Sequence, residues 1–243
     1  MKIDMLIEAC RKHMPPDNID VVIKEPYIPY FPDKWNDILV LAESQNLSNS
    51  NSQYVENLKS LSSTDRLCRL RGPLNIGIQP WDDGSLKLAV EASFNKRAEN
   101  TAVSNAILWS QVDEFGNNKN PSNDLITLSI NLWADILQLI EPHYIITCGN
   151  YAHQVIGKIN QMLKGSWENV QLRLPSRTAM SRISNMFPEK DLLFRYPEVN
   201  EVTQKHQEWL EGGYRQNKIF FACHAVSIVK TITGQYANFK IKC

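Results

Sequence analysis

The chain has no surplus of either charge: 26 Lys and Arg balance 26 Asp and Glu over 243 residues. A nucleic-acid site therefore has to come from local clustering of bases rather than from a global field. Its five cysteines, at 10, 68, 148, 223 and 243, are scattered without a CxxC pair. That argues against a disulfide framework and against a zinc or iron–sulfur site, so no metal and no cofactor are expected. No uncharged apolar stretch approaches the roughly 18 residues a membrane helix needs. The opening Met1 to Cys10 carries acids inside its apolar pattern, unlike a signal peptide. Internal repeats and long low-complexity tracts are missing too. The expectation is a cytoplasmic protein with reduced thiols and no membrane contact, monomeric, its 43% apolar residues sufficient for the core of a single domain over 1–243.

What is present is an alternation of short apolar runs with helical patterns. Ile3, Leu6, Ile7 and Cys10 have helical spacing, and Pro15-Pro16 stops that helix. Prolines 26, 29 and 32 then force an extended path. Ile38 to Ala42 reads as a buried parallel strand, with Glu43 one residue beyond it in a small polar loop running to Ser48. Ligands of open α/β sheets bind outside the carboxyl ends of strands, which makes Glu43 the first candidate for chemistry. A helix follows through Val55, Leu58 and Leu61. Residues 86–91 fit either a hairpin arm after Asp83-Gly84 or a helix.

Asn105 to Val112 reads as a second strand, and Ser122-Asn123-Asp124 caps a helix whose apolar face includes Leu125, Leu132 and Ile136 and which Pro142 ends. Tyr144 to Gly149 is a third strand leading into a helix from Tyr151 to about Leu163. Val170 to Ser176 reads as a strand, and a helix is expected around Val202 to Leu210. Lys218 to His224 is expected as a last strand delivering His224 at its carboxyl end. This grammar predicts an α/β fold, three-layer αβα, with a central, mostly parallel four-stranded sheet.

In order along the chain, several of these pieces resemble the uracil-DNA glycosylase superfamily. Ala42-Glu43-Ser44-Gln45-Asn46 stands where that family has its first motif, Asn105-Ala106-Ile107-Leu108-Trp109-Ser110 where its middle strand opens with asparagine, and Ile145 to Ala152 where a strand ends in glycine. The resemblance covers about residues 36–184. Gln45 replaces the family's proline and Ser44 its usual Asp or Asn, which points to a base other than plain uracil. The late His-Pro-Ser motif has two partial counterparts, Leu174-Pro175-Ser176 and His224-Ala225-Val226-Ser227. The iron–sulfur ligands of some members have no counterpart.

The resemblance implies a monofunctional DNA glycosylase acting on a flipped-out damaged or modified pyrimidine, with a role in repair or in defence against viral DNA. The alternative is an inactive DNA- or partner-binding protein on the same fold. Cleaving an N-glycosidic bond calls for a carboxylate that positions water and for donors aimed at the departing base. Glu43 is the expected water-positioning group, with Ser44 assisting and His224 stabilising the leaving anion. Gln45, Asn46 and Asn105 are candidates for the base edge, because an amide offers both donor and acceptor. Ser176, Arg177, Ser181, Arg182, Ser227 and Lys230 are expected to grip phosphates.

Overall fold

The computed structural model describes residues 3–26, 30–44, 52–68, 78–172 and 186–234. In chain order its elements are α1 (Ile3–Lys12), β1 (Ile38–Ser44), α2 (Ser52–Lys59), α3 (Ser63–Cys68), α4 (Gln79–Asp82), α5 (Ser85–Phe94), β2 (Ala102–Ile107), β3 (Gln111–Val112) and β4 (Asn118–Lys119). They continue with α6 (Asn123–Ile140), β5 (Tyr144–Cys148), α7 (Asn150–Met162), β6 (Glu168–Leu172), α8 (Glu189–Arg195), α9 (Pro197–Lys205) and α10 (Arg215–Ile232). The result is α/β, with a four-stranded all-parallel sheet in the order β2-β1-β5-β6. No helix among the described residues is long and apolar enough to cross a membrane. The chain divides into two compact units, one of residues 1–73 and 101–169, the other of 74–100 and 170–243.

In the first unit, β1 is wholly buried from Ile38 to Ala42. It runs parallel to β2, with Leu39 opposite Ala102 and Ser44 opposite Ile107, and parallel to β5, with Leu41 opposite Thr147. Strands buried on both faces read as continuous β-branched and Leu runs, which is why β1 and β5 were visible in the sequence. Leu39 and Leu41 join Leu6 and Cys10 of α1, Leu132 and Ile136 of α6 and Val155, Ile156 and Ile159 of α7 in one core. Trp133 is pinned within it by its indole N–H, which donates to the Ala106 carbonyl at 2.9 Å. Ser122 caps α6 as its spacing predicts, its hydroxyl accepting from Leu125 N at 3.4 Å.

In the second unit the stretch 86–91 resolves to helix, within α5. The expected strand Lys218 to His224 is instead the first half of α10. Past the exposed His224, Ala225, Val226 and Val229 continue the buried face of Ile219 and Ala222 at helical spacing, which lets the segment be buried as a helix. Lys218, 5% exposed, fixes the start of α10. Its ammonium donates to the carbonyls of Asp83 (2.6 Å), Glu211 (2.8 Å) and Trp209 (3.1 Å), using all three of its N–H bonds. Burial lowers the Lys218 pKa and the charge of Asp83 opposes that, with burial the larger effect. Lys218→Met would leave those carbonyls without their donor, and unsatisfied buried groups cost about 1–3 kcal/mol. A loss of about 2 kcal/mol is expected in urea unfolding, and a midpoint matching the unmodified protein would show the cage to be dispensable.

Glu91 of α5 is a second buried polar centre, 7% exposed. One carboxylate oxygen accepts from Lys205 Nζ at 2.8 Å and lies 3.1 Å from His206 Nε2; the other accepts from Ala98 N at 3.0 Å. The His206 ring stacks on Trp209 with centroids 3.8 Å apart. Burial pushes the Glu91 carboxyl up, but the Lys205 and Ala98 hydrogen bonds and the Lys205 and His206 charges outweigh it, and the pKa falls below its ordinary 4.5. A carboxyl whose folded pKa is depressed contributes stability fully above its unfolded value and loses it as pH falls through the folded one. The urea midpoint of the unmodified protein is therefore expected to exceed that of Glu91→Gln at pH 7, and the gap to narrow progressively as pH falls below the ordinary 4.5. A gap independent of pH would remove Glu91 as its source.

Candidate functional site

The parallel sheet has one place where the chain departs in opposite directions from neighbouring strands. It leaves β1 towards β2 on one side and β5 towards β6 on the other. The crevice outside the carboxyl ends of such a pair is the usual ligand site of an open α/β sheet. Two features meet there. One is Glu43, which lies inside β1, not one residue past it, and is half-buried. The other is the turn from β5 into α7 at Gly149-Asn150.

Glu43 Oε1 accepts a hydrogen bond from the backbone N–H of Asn150, the first residue of α7, at 2.5 Å. The carboxylate thus takes one of the N–H groups a helix leaves unpaired at its start, where the helix dipole also favours negative charge. Gly149 makes this approach feasible. Its φ of 100° and ψ of 171° lie in a region essentially restricted to glycine. A Cβ there would sit 2.6 Å from Glu43 Cδ and closer still to Cγ and Oε1. Around this contact the β5 end is tied down by Thr147, whose hydroxyl bonds Asn169 Oδ1 at 3.3 Å and whose carbonyl lies 3.2 Å from His153 Nε2. His153 thus serves the strand end. Burial, and then the Glu43 charge, push the neighbouring Cys148 thiol pKa well above its ordinary value, which leaves that cysteine an unreactive thiol.

The other sequence candidates do not all converge here. Asn105, 4% exposed, is in register with Ala42. Side chains alternate along a strand, so Asn105 and Ser44 share the Ala42 face while Glu43 projects from the opposite one. His224 lies mid-helix in α10 of the second unit and is exposed, so it is not delivered by a strand end. On the same helix Lys230 is ion-paired with Glu198, and Ser227 is half-buried, its carbonyl accepting from the Thr231 hydroxyl at 2.8 Å. Gln45, Asn46, Ser176, Arg177, Ser181 and Arg182 lie outside the described residues.

The residue that sequence reasoning missed is Asn150, because it contributes a backbone N–H and not a side chain. The available signal was the glycine between a buried strand and a helix, which marks a close approach. Among the described residues no group of His, Cys, Asp and Glu has the arrangement of a metal site. Neither a family model nor a curated protein matches this chain.

Proposed function

We propose that the protein is a monofunctional DNA glycosylase of uracil-DNA glycosylase-like, three-layer architecture. It acts in the cytoplasm on a flipped-out damaged or modified pyrimidine, including those of viral DNA. The observation that carries this reading is Glu43 at the crevice between β1 and β5, with one carboxylate oxygen anchored on the α7 N-terminus. An anchored carboxylate holds its second oxygen in a defined direction, and that oxygen is the one to orient water beneath the anomeric carbon. As the glycosidic bond breaks, its electron pair leaves with the base and positive charge gathers on the sugar, which the carboxylate stabilises. Water then adds to C1′, its proton passing to Glu43, and the departing base takes a proton from solvent.

The test uses oligonucleotides, single- and double-stranded, each with one modified pyrimidine, followed by alkaline cleavage at abasic sites. Strand breaks at the modified position are expected for at least one base. Their absence from every substrate, genomic DNA of modified-base viruses included, rejects the reading.

A second reading has its own support: Glu43 is engaged with backbone and Asn105 faces the other side of the sheet. Both suit a fold that binds DNA or a partner without chemistry. Salt-dependent DNA binding with no base release would establish it.

A further inference from the structure

Helices α1 and α6 meet in the core of the first unit, through Leu6 and Cys10 on one side and Leu132 and Ile136 on the other. Their outward faces leave a groove of about 500 Å³. Its apolar lining is Met5, 49% exposed, Leu139, 37% exposed, and the small, buried Ala9. Three carboxylates also line it, those of Asp4, Glu8 and Asp135, against the single ammonium of Lys12. Asp4 and Glu8 are one turn apart on α1, so their side chains are neighbours on one side of the helix. Neither has an ion-pair partner among the described residues. Asp135 is held in place through Oδ2, which lies 2.9 Å from His13 Nε2 just past the end of α1.

We infer that this groove is the docking site for a basic amphipathic helix of a partner protein. Apolar side chains of that helix seat on Met5 and Leu139, and its lysines or arginines pair with Asp4 and Glu8. Charge selects this occupant. Three carboxylates against one ammonium repel the phosphates of nucleic acid and the headgroups of anionic lipid. A second copy docked groove to groove would set the same carboxylates against their own images, as a two-fold interface requires. An apolar strip rimmed by acids instead matches a helix whose apolar face is flanked by bases. The walls are already fixed by the shared core, so little ordering cost falls on this side of the interface. None of these residues belongs to the Glu43 site, and the inference stands independently of the reaction proposed there.

The probe is a fluorescein-labelled amphipathic peptide of about four helical turns, with leucines on one face and lysines and arginines on the other. Its anisotropy is followed with the full-length protein at two salt concentrations. Two double substitutions, all at exposed positions, separate charge from apolar contact. Asp4→Asn with Glu8→Gln is expected to weaken binding about fivefold at low salt and less at high salt, as for the loss of two exposed ion pairs. Met5→Ala with Leu139→Ala is expected to weaken it about tenfold at both salt concentrations, because apolar contact is not screened. The same peptide with glutamates in place of its bases is expected not to bind. Absence of binding, equal binding of the glutamate peptide, or an affinity that either double substitution leaves unchanged overturns the inference. Self-association of the unmodified protein in sedimentation, abolished by Met5→Ala with Leu139→Ala, would overturn it in favour of a second copy.

Discussion

Gly149→Ala is expected to destabilise the protein by about 3 kcal/mol, more than any other single change considered. Its backbone angles, φ 100° and ψ 171°, belong to a region that costs a residue with a Cβ about 1–3 kcal/mol. The added methyl would also press into the Glu43 side chain, and overpacking of that kind costs about 1–3 kcal/mol. Against this, alanine lowers the entropy of the unfolded chain and returns up to about 1 kcal/mol. The two costs are separable, because only the collision depends on residue 43. Adding Glu43→Ala to Gly149→Ala should recover the collision but not the backbone strain, so the pair will be non-additive by about 1 kcal/mol or more. Urea unfolding of the four proteins in this cycle measures it. Strict additivity would mean that Glu43 does not lie against Gly149 in solution.

Strands β1 and β5 could be read from the sequence because they are buried almost throughout, whereas β6 alternates buried and exposed residues and β2 begins and ends earlier than the expected Asn105 to Val112. Ile38 to Ala42 and Tyr144 to Cys148 are short, β-branched and bounded by turn residues, a pattern with few alternatives. Lys218 to His224 has the same local character yet belongs to the helix α10. What separates the two is the continuation, since Ala225, Val226 and Val229 extend the apolar face at helical spacing while nothing comparable follows Ala42. A buried lysine capped by three carbonyls has no sequence signature at all. The site was legible as a position and not as an arrangement. Glu43 follows from strand ends and acidity, but the face on which Asn105 lies depends on the register of β2 against β1. A one-residue slip would have put Asn105 beside Glu43. The helix N–H that anchors Glu43 comes from the backbone, so only the glycine before it leaves a trace in the sequence.

Glu43→Gln is expected to reduce base release by about 10²- to 10⁴-fold, the usual contribution of a positioned acid–base group, with stability nearly unchanged. The two effects part because glutamine keeps a carbonyl oxygen where Oε1 now accepts from Asn150 N. The helix start stays satisfied, but an amide neither takes the proton of the attacking water nor offsets the sugar's positive charge. Glu43→Ala removes the acceptor as well, so it should lose the same activity and, in addition, about 1 kcal/mol of stability, the typical loss when a side-chain cap of a helix start is deleted. If Glu43 only clasps β1 to α7, the ranking is different: Glu43→Gln keeps both activity and stability, and Glu43→Ala loses stability alone. Single-turnover base release measured beside urea midpoints for the three proteins decides between these patterns. Release by Glu43→Gln within threefold of the unmodified rate would assign Glu43 to the clasp.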